Sequence, residues 1–225
     1  MQKQSIYVMR KHHLSFILFF LFVCVGIQSS AQTNYHQFSL YSDYLKKVFD
    51  ISLNCPKGFV DLQTSEFWGP NGKGKGKPGM GYTSILESKK GDCMIMYADI
   101  QLYYHPQRLQ LNVQQLMKSD SAQDIIVLTD KDVTKYSNAD TVFLAKIPLH
   151  TMYKDKYSHC IGVYICKANR PEMYFKCFFT EKGKQDENHY LTKLLKSVRY
   201  RGNHWVYDLD KSSEEAYKLY LKRRE

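Results

Sequence analysis

Residues 157–180, YSHCIGVYICKANRPEMYFKCFFT, decide the fold of this chain. Two apolar arms, 157–167 and 173–180, flank a turn that has Pro171 near its centre. Alternate residues of a strand point to the same face, and the odd-numbered residues of both arms are apolar: Ile161, Val163, Ile165, Met173, Phe175, Cys177 and Phe179. This alternation around a proline-containing turn predicts a β-hairpin.

The rest of the chain shows the same pattern of short strands with a few helices. Strands are predicted over 48–53, 59–62, 82–87, 93–104, 125–128 and 142–147. Helices are predicted within 35–47, after the N-cap residue Asn112, and over 186–198. Strands grouped in hairpins, without βαβ alternation, favour one α+β domain over 32–225. Helices would pack on a mostly antiparallel sheet in an arrangement like an α/β/α sandwich.

A last helix is predicted over about 212–223. Ser212-Ser213-Glu214-Glu215 has the composition of a capping box, in which Ser212 and Glu215 would satisfy the first backbone amides. The apolar residues that follow at helical spacing would form its buried face: Ala216, Tyr217, Tyr220 and Leu221.

Both ends of the predicted domain resemble one family. Phe49-x-Ile51, Pro56-x-Gly58-Phe59, and a hairpin followed at once by the 186–198 helix and Tyr200 resemble the layout of PsbP-like domains. These are α/β/α sandwiches of exported or lumenal accessory proteins. The resemblance implies this fold and a noncatalytic accessory or binding role, and it carries over no catalytic residue.

The first 31 residues predict a cleaved secretory signal peptide. Lys3, Arg10 and Lys11 precede an apolar run over 14–27, and Ser29-Ser30-Ala31 supplies small residues before Gln32. The run is shorter than the roughly 20 apolar residues that a membrane span needs. We therefore expect an exported protein, periplasmic or secreted, with no membrane span after cleavage between Ala31 and Gln32.

The charge of the exported portion narrows the expected partners. Removal of 1–31 leaves 29 basic residues against 22 acidic ones, a formal net charge of +7. Outside the cytoplasm the expected counterpart is an envelope protein or an anionic polymer, and nucleic acid is not expected. The same charge would also serve solubility alone.

A mobile loop is predicted over 69–81, because six glycines and two prolines fall within it. The sequence satisfies G-x-x-x-x-G-K at 69–75, but Gly76 replaces the hydroxyl residue that would bind magnesium in a phosphate loop. Lys73, Lys75 and Lys77, beside Trp68, are instead the candidate contacts to an anionic polymer.

Tyrosines on one strand form a second candidate binding surface. Tyr97 and Tyr103 would lie on the outward face of the predicted 93–104 strand, opposite Met94 and Met96. Exposed aromatic rings on a sheet stack against sugars or partner proteins. Tyrosine is also a favoured strand residue, which accounts for most of the others in the chain.

No motif in the sequence specifies a metal, a cofactor or a catalytic residue. Asp208-x-Asp210-x-Ser212 opens like a calcium loop, but Ser213 and Leu219 occupy the positions that need glycine and glutamate. His159 adjoins Cys160, but adjacent residues of a strand point to opposite faces of the sheet. His159 is therefore not expected to activate the Cys160 thiol. The favoured function is therefore a noncatalytic accessory or binding protein of the cell envelope. The alternative is an envelope hydrolase whose site forms only in the fold.

Five cysteines follow the predicted signal: Cys55, Cys93, Cys160, Cys166 and Cys177. If Ala168 pairs with Met173 across the hairpin, Cys166 faces Phe175 and lies diagonal to Cys177. A diagonal separation of about 7 to 8 Å exceeds the usual span of a disulfide. The disulfide state stays open at this point.

Overall fold

The structure is a computed structural model that describes residues 38–68, 80–98, 113–128, 131–202 and 205–222. Its helices are α1 (Phe38–Phe49), α2 (Val113–Ser119), α3 (Lys131–Tyr136), α4 (Glu181–Gln185), α5 (Glu187–Ser197) and α6 (Leu209–Lys222). Its strands are β1 (Ile51–Leu53), β2 (Phe59–Asp61), β3 (Glu66–Trp68), β4 (Met80–Ser88), β5 (Cys93–Ala98), β6 (Gln123–Leu128), β7 (Thr141–Lys146), β8 (His159–Cys166), β9 (Met173–Phe179) and β10 (Val198–Tyr200).

One antiparallel sheet organises the fold. Seven strands follow the order β2-β4-β5-β9-β8-β7-β6, and β3 also pairs with β4. A second small sheet joins β1 to β10. The prediction of an α+β fold with helices on a mostly antiparallel sheet is confirmed, and the described elements form a single body.

Both faces of the large sheet are buried at its central strands. On the first face, the odd-numbered residues of β8 and β9 pack against α1, α5 and the small sheet, with Val163 and Phe175 fully buried. On the second face, Tyr164 and Phe178 pack in a separate core that includes Val113 and Met117 of α2. Helices on both faces make the sheet the middle layer, as in an α/β/α sandwich.

The central hairpin has a different register from the predicted one. Ile165 pairs with Met173, and Ala168 lies outside the strands, where its backbone amide donates to Asp140 Oδ2 at 2.7 Å. The connection is longer than predicted because Arg170 turns inward and is buried in the turn. Cys166 therefore lies beyond the last β8–β9 pair and does not face Phe175, while on the other side of β8 it pairs with Thr141 of β7.

All five described cysteines are free thiols. Cys93, Cys160 and Cys177 are buried within the strands, and burial raises the pKa of each thiol. Cysteine in such positions acts as a small apolar residue.

Two helix boundaries differ from prediction. Val48 and Phe49 belong to α1, not to a strand, because they continue the buried helical spacing of Tyr44 and Leu45. The helix ends where Asp50 adopts a left-handed backbone with φ of 51°.

The C-terminal helix α6 begins at Leu209, three residues before the predicted capping box. Asp208 acts as its cap, since Asp208 Oδ1 accepts from the Lys211 amide at 2.9 Å. The helix packs on α1, where Glu215 Oε2 lies 3.2 Å from Lys47 Nζ. Tyr217 is 62% exposed, so the burial predicted for it is wrong. Leu221 is exposed as well.

Candidate functional site

The predicted binding residues do not form one described surface. Lys73, Lys75, Lys77 and Tyr103 lie outside the described residues, and the backbone of Trp68 pairs with Met80 in the β3–β4 ladder. Met80 and Gly81 belong to β4, so the predicted loop is shorter at this end.

The outward position predicted for Tyr97 is wrong. Its side chain is 0% exposed, with the Phe38 and Phe175 ring centroids 5.4 Å and 5.0 Å away. Helix α1 covers this face of β5, so the ring is part of the core. Tyr97 cannot stack on an external ligand in this fold.

A cleft of about 320 Å³ lies between the C-terminal end of α1 and the segment that leads into α6. It is lined by Lys46, Lys47, Val48, Asp50, Trp205, Val206, Asp208 and Lys211. Three lysine side chains therefore surround an indole and an exposed valine. This combination can hold an anionic group next to an apolar one.

The charges around the cleft are unevenly paired. Lys47 Nζ lies 3.2 Å from Glu215 Oε2, and hydrogen bonds from Lys218 and Lys47 lower the pKa of that glutamate. Among the described residues, no carboxylate lies within ion-pair distance of Lys46 or Lys211. The ammonium groups of Lys46 and Lys211 are therefore available to pair with an anionic ligand in the cleft.

Arg170 is buried behind the cleft and contacts two of its lining residues, Asp50 and Trp205. One guanidinium nitrogen, Nη2, donates to the carbonyl oxygens of Phe49 at 2.6 Å and Asp50 at 3.0 Å. The other, Nη1, donates to the carbonyls of Arg201 at 3.1 Å and Gly202 at 3.4 Å. The β8–β9 turn is thereby tied to the end of α1 and to the end of β10.

The same guanidinium contacts aromatic rings. Its central carbon lies 5.3 Å from the Trp205 ring centroid and 5.4 Å from that of Tyr200, within the range of cation–π attraction. The Trp205 indole nitrogen also donates to the Val48 carbonyl at 3.0 Å. Arg170 and the end of α1 together fix the position of the indole.

No sequence pattern points to this cleft. Its residues come from three distant segments, around Lys46, Arg170 and Trp205, and no spacing rule connects them. Arg170 sits between turn residues, where an arginine is ordinarily solvated. The one available signal was the pair of aromatic residues, Trp205 and Tyr207, placed close to Gly202.

A histidine meets a carboxylate elsewhere on the surface. His159 Nε2 lies 2.9 Å from Glu187 Oε2, while the neighbouring Ser158 hydroxyl donates to Glu181 at 2.6 Å. Cys160 lies on the opposite face of β8, in the second core. The hydroxyl and the thiol next to His159 are thus directed to other partners, and this pair lacks the geometry of an activated nucleophile.

A buried ion pair occupies the second face of the sheet. Lys176 Nζ lies 2.7 Å from Asp120 Oδ1, and the hydroxyls of Tyr164 and Tyr174 both donate to Asp120 Oδ2. Burial lowers the pKa of Lys176, although Asp120 opposes that shift. Because Asp120 directly follows α2, the pair joins this helix to the middle of the sheet.

Glu172 makes the free energy of unfolding depend on pH. Burial raises the pKa of its carboxyl to about 7, and a hydrogen bond with Cys166 opposes part of the shift. A folded-state pKa above the unfolded one means that the folded protein binds more protons, so this contribution to stability is lost as pH rises from about 4.5 to 7.

We therefore expect Glu172→Gln to unfold at higher denaturant concentration than the parent at pH 8. The gain should be about 1 kcal/mol, after allowance for partial solvent screening. At pH 4 the two proteins should be equally stable, and urea titrations at both pH values measure the difference. An equal effect at pH 4 and pH 8 would contradict a raised pKa.

Further features of the described residues limit the candidates. In the ranges that the structure covers, no group of three or more His, Cys, Asp or Glu side chains is arranged to hold a metal ion. No helix in those ranges is long and apolar enough to cross a membrane. The predicted signal peptide lies outside the described residues.

Comparison with known proteins adds no relative: no family model matches the chain, and no curated protein matches it. The resemblance to PsbP-like domains therefore stays a prediction.

Proposed function

We propose that this chain is an exported, noncatalytic binding protein that holds an anionic group of an envelope protein or polymer in the cleft beside Trp205. The observation that carries the proposal is the placement of Lys46 and Lys211 around an indole that Arg170 fixes. Two ammonium groups supply attraction, and the indole and Val206 supply apolar contact for the atoms next to the anion.

The cleft favours a binding role over a chemical one. Its charged groups are lysines and aspartates, and Asp208 already accepts a hydrogen bond as the cap of α6. The predicted loop with Lys73, Lys75 and Lys77 would add a second basic contact. The envelope hydrolase stays the alternative, and hydrolysis of an envelope polymer by the purified protein would favour it.

The proposal is tested by titration with two soluble polyanions, inorganic polyphosphate and polyglutamate. The chain has two tryptophans, so Trp68→Phe leaves Trp205 as the only indole, and its fluorescence reports ligand in the cleft. We expect saturable binding that weakens with salt. Lys46→Ala with Lys211→Ala should weaken it about tenfold, which corresponds to about 1.4 kcal/mol.

The matched control removes two exposed lysines of α4, Lys182 and Lys184, and so lowers the net charge equally. This variant should bind within about twofold of the parent. Equal binding by the Lys46/Lys211 variant would refute the cleft as the site. A loss confined to the Lys73, Lys75 and Lys77 triple alanine variant would assign binding to the loop instead.

A further inference from the structure

The strand β6 forms one edge of the large sheet and is composed like an interior strand. It carries four consecutive apolar residues, 125–128, and within the described residues it pairs only with β7. Ile125, Ile126 and Val127 are 50%, 56% and 49% exposed. Continuous apolar runs are typical of strands that are covered on both sides.

Both faces of β6 contribute to this exposed surface. Ile126 pairs with Leu144, which packs against the first core, whereas Val127 pairs with Phe143, which packs against the second. The neighbouring strand β7 thus has a core on each side. Among the described residues, neither helical layer covers β6, and its apolar side chains are exposed on both faces of the sheet.

No described strand pairs with the outer edge of β6 at residues 125–128. Edge strands usually resist association through charged side chains, proline or a bulge. Here a bulge lies between Gln123 and Ile126, and the only charged side chain is Asp124, 4.0 Å from Lys146 of β7. Residues 125–128 carry no such protection, and their outer backbone groups can accept another strand.

We propose that β6 pairs antiparallel with β6 of a second copy of this chain, about a twofold axis midway between the two copies of Ile126, so that the two sheets become continuous. Residues that lie directly opposite each other in a sheet point to the same face. A twofold axis normal to the sheet keeps each face on its own side, so one residue of the strand must lie opposite its own copy. With the axis between the two copies of Ile126, each Ile126 lies opposite the other and Ile125 lies opposite the partner's Val127. This register pairs all three exposed side chains with one another.

The proposed contact is small, so the affinity between the two copies is expected to be low. A strand of six residues is about 20 Å long, and its edge buries less than the roughly 800 Å² per partner of a standard interface. The dimer is therefore expected to be weak and concentration-dependent. It does not involve the cleft, so its test is independent of the proposed ligand.

Sedimentation velocity of the purified protein over a hundredfold concentration range should show exchange between monomer and dimer. Ile126→Lys places two like charges opposite each other across the proposed axis and should raise the dissociation constant at least tenfold. The matched control is Val60→Lys on β2, an exposed valine on the opposite edge of the sheet, which should leave the constant within about twofold. Unchanged circular dichroism would establish that both variants fold.

Crosslinking tests the register. In a Cys55→Ser background, Ile126→Cys should form an intermolecular disulfide under mild oxidation, because opposite Cα atoms lie about 4.5 to 5.5 Å apart. Val127→Cys should not, since its copy would lie two residues along the strand. The proposal is overturned if the protein is monomeric at all concentrations, if Val60→Lys rather than Ile126→Lys dissociates the dimer, or if Val127→Cys crosslinks in place of Ile126→Cys.

Discussion

Replacement of Asp120 by alanine is expected to lower the free energy of unfolding by about 3 to 5 kcal/mol. The Lys176 side chain is 1% exposed, so the substitution leaves an ammonium group in the core without its carboxylate. Removing one partner of a buried ion pair has costs of this size, because the remaining charge has lost both its partner and its water. Tyr164 and Tyr174 would lose their common acceptor at the same time.

Urea denaturation measures this loss, and two further variants separate the ion pair from general damage. Asp124→Ala removes the carboxylate of an exposed pair with Lys146 and should cost less than about 1 kcal/mol. Asp120→Ala combined with Lys176→Met should cost less than the sum of the two single changes, by about 1 to 3 kcal/mol. Additive losses, or a loss below 1 kcal/mol for Asp120→Ala, would argue against a coupled pair.

Arg170→Ala is expected to cost about 3 kcal/mol and to release Trp205. The guanidinium donates to four backbone carbonyls, and hydrogen bonds that involve a charged group are each stronger than neutral ones. Its loss leaves the Phe49 carbonyl without that donor at the end of α1. The indole also loses the cation on its face and, once released, becomes more exposed to water, so its fluorescence emission should shift to longer wavelength.

Lysine at position 170 tests whether the planar guanidinium group, and not only its charge, is needed. Arg170→Lys keeps the charge but cannot reach four acceptors at once, so it should recover only part of the stability. Arg199→Ala, an exposed arginine on β10, is the control and should change stability by less than about 0.5 kcal/mol. Both are measured by denaturation in the Trp68→Phe background. Parent-like stability and emission in Arg170→Ala would contradict the assigned role.

The alternation of side chains was enough to predict the main hairpin. Odd-numbered residues such as Val163 and Phe175 do share the first face, as the parity of the sequence indicates. The register was wrong because it depends on how many residues the turn contains. That number is decided by Arg170, which reaches carbonyls of Phe49 and Asp50 about 120 residues away. Local patterns carry no information about such a contact.

The error over Tyr97 has a different cause. Alternation along a strand predicts one core face and one solvated face, and it places Tyr97 on the solvated face. The run 93–98 contains no charged residue, which is typical of a strand covered on both sides. That composition was visible in the sequence. What it could not show was which helices supply the second layer.

The candidate site was the least predictable part. Lys46 and Lys47 lie in the last turn of a helix, Lys211 lies in the first turn of another, and Trp205 lies in an irregular segment between them. Each position is ordinary by itself. Their approach depends on the packing of α6 on α1, which only the tertiary structure defines.

The buried thiols have a consequence for a protein that we expect to be exported. Cys93, Cys160 and Cys177 are reduced and enclosed in the central strands, so an oxidant or a thiol reagent reaches them only when the sheet opens. The rate at which these thiols become modified therefore measures how often the sheet opens. Exposed Cys55 is modified without such an event and sets the reference rate in the same molecule.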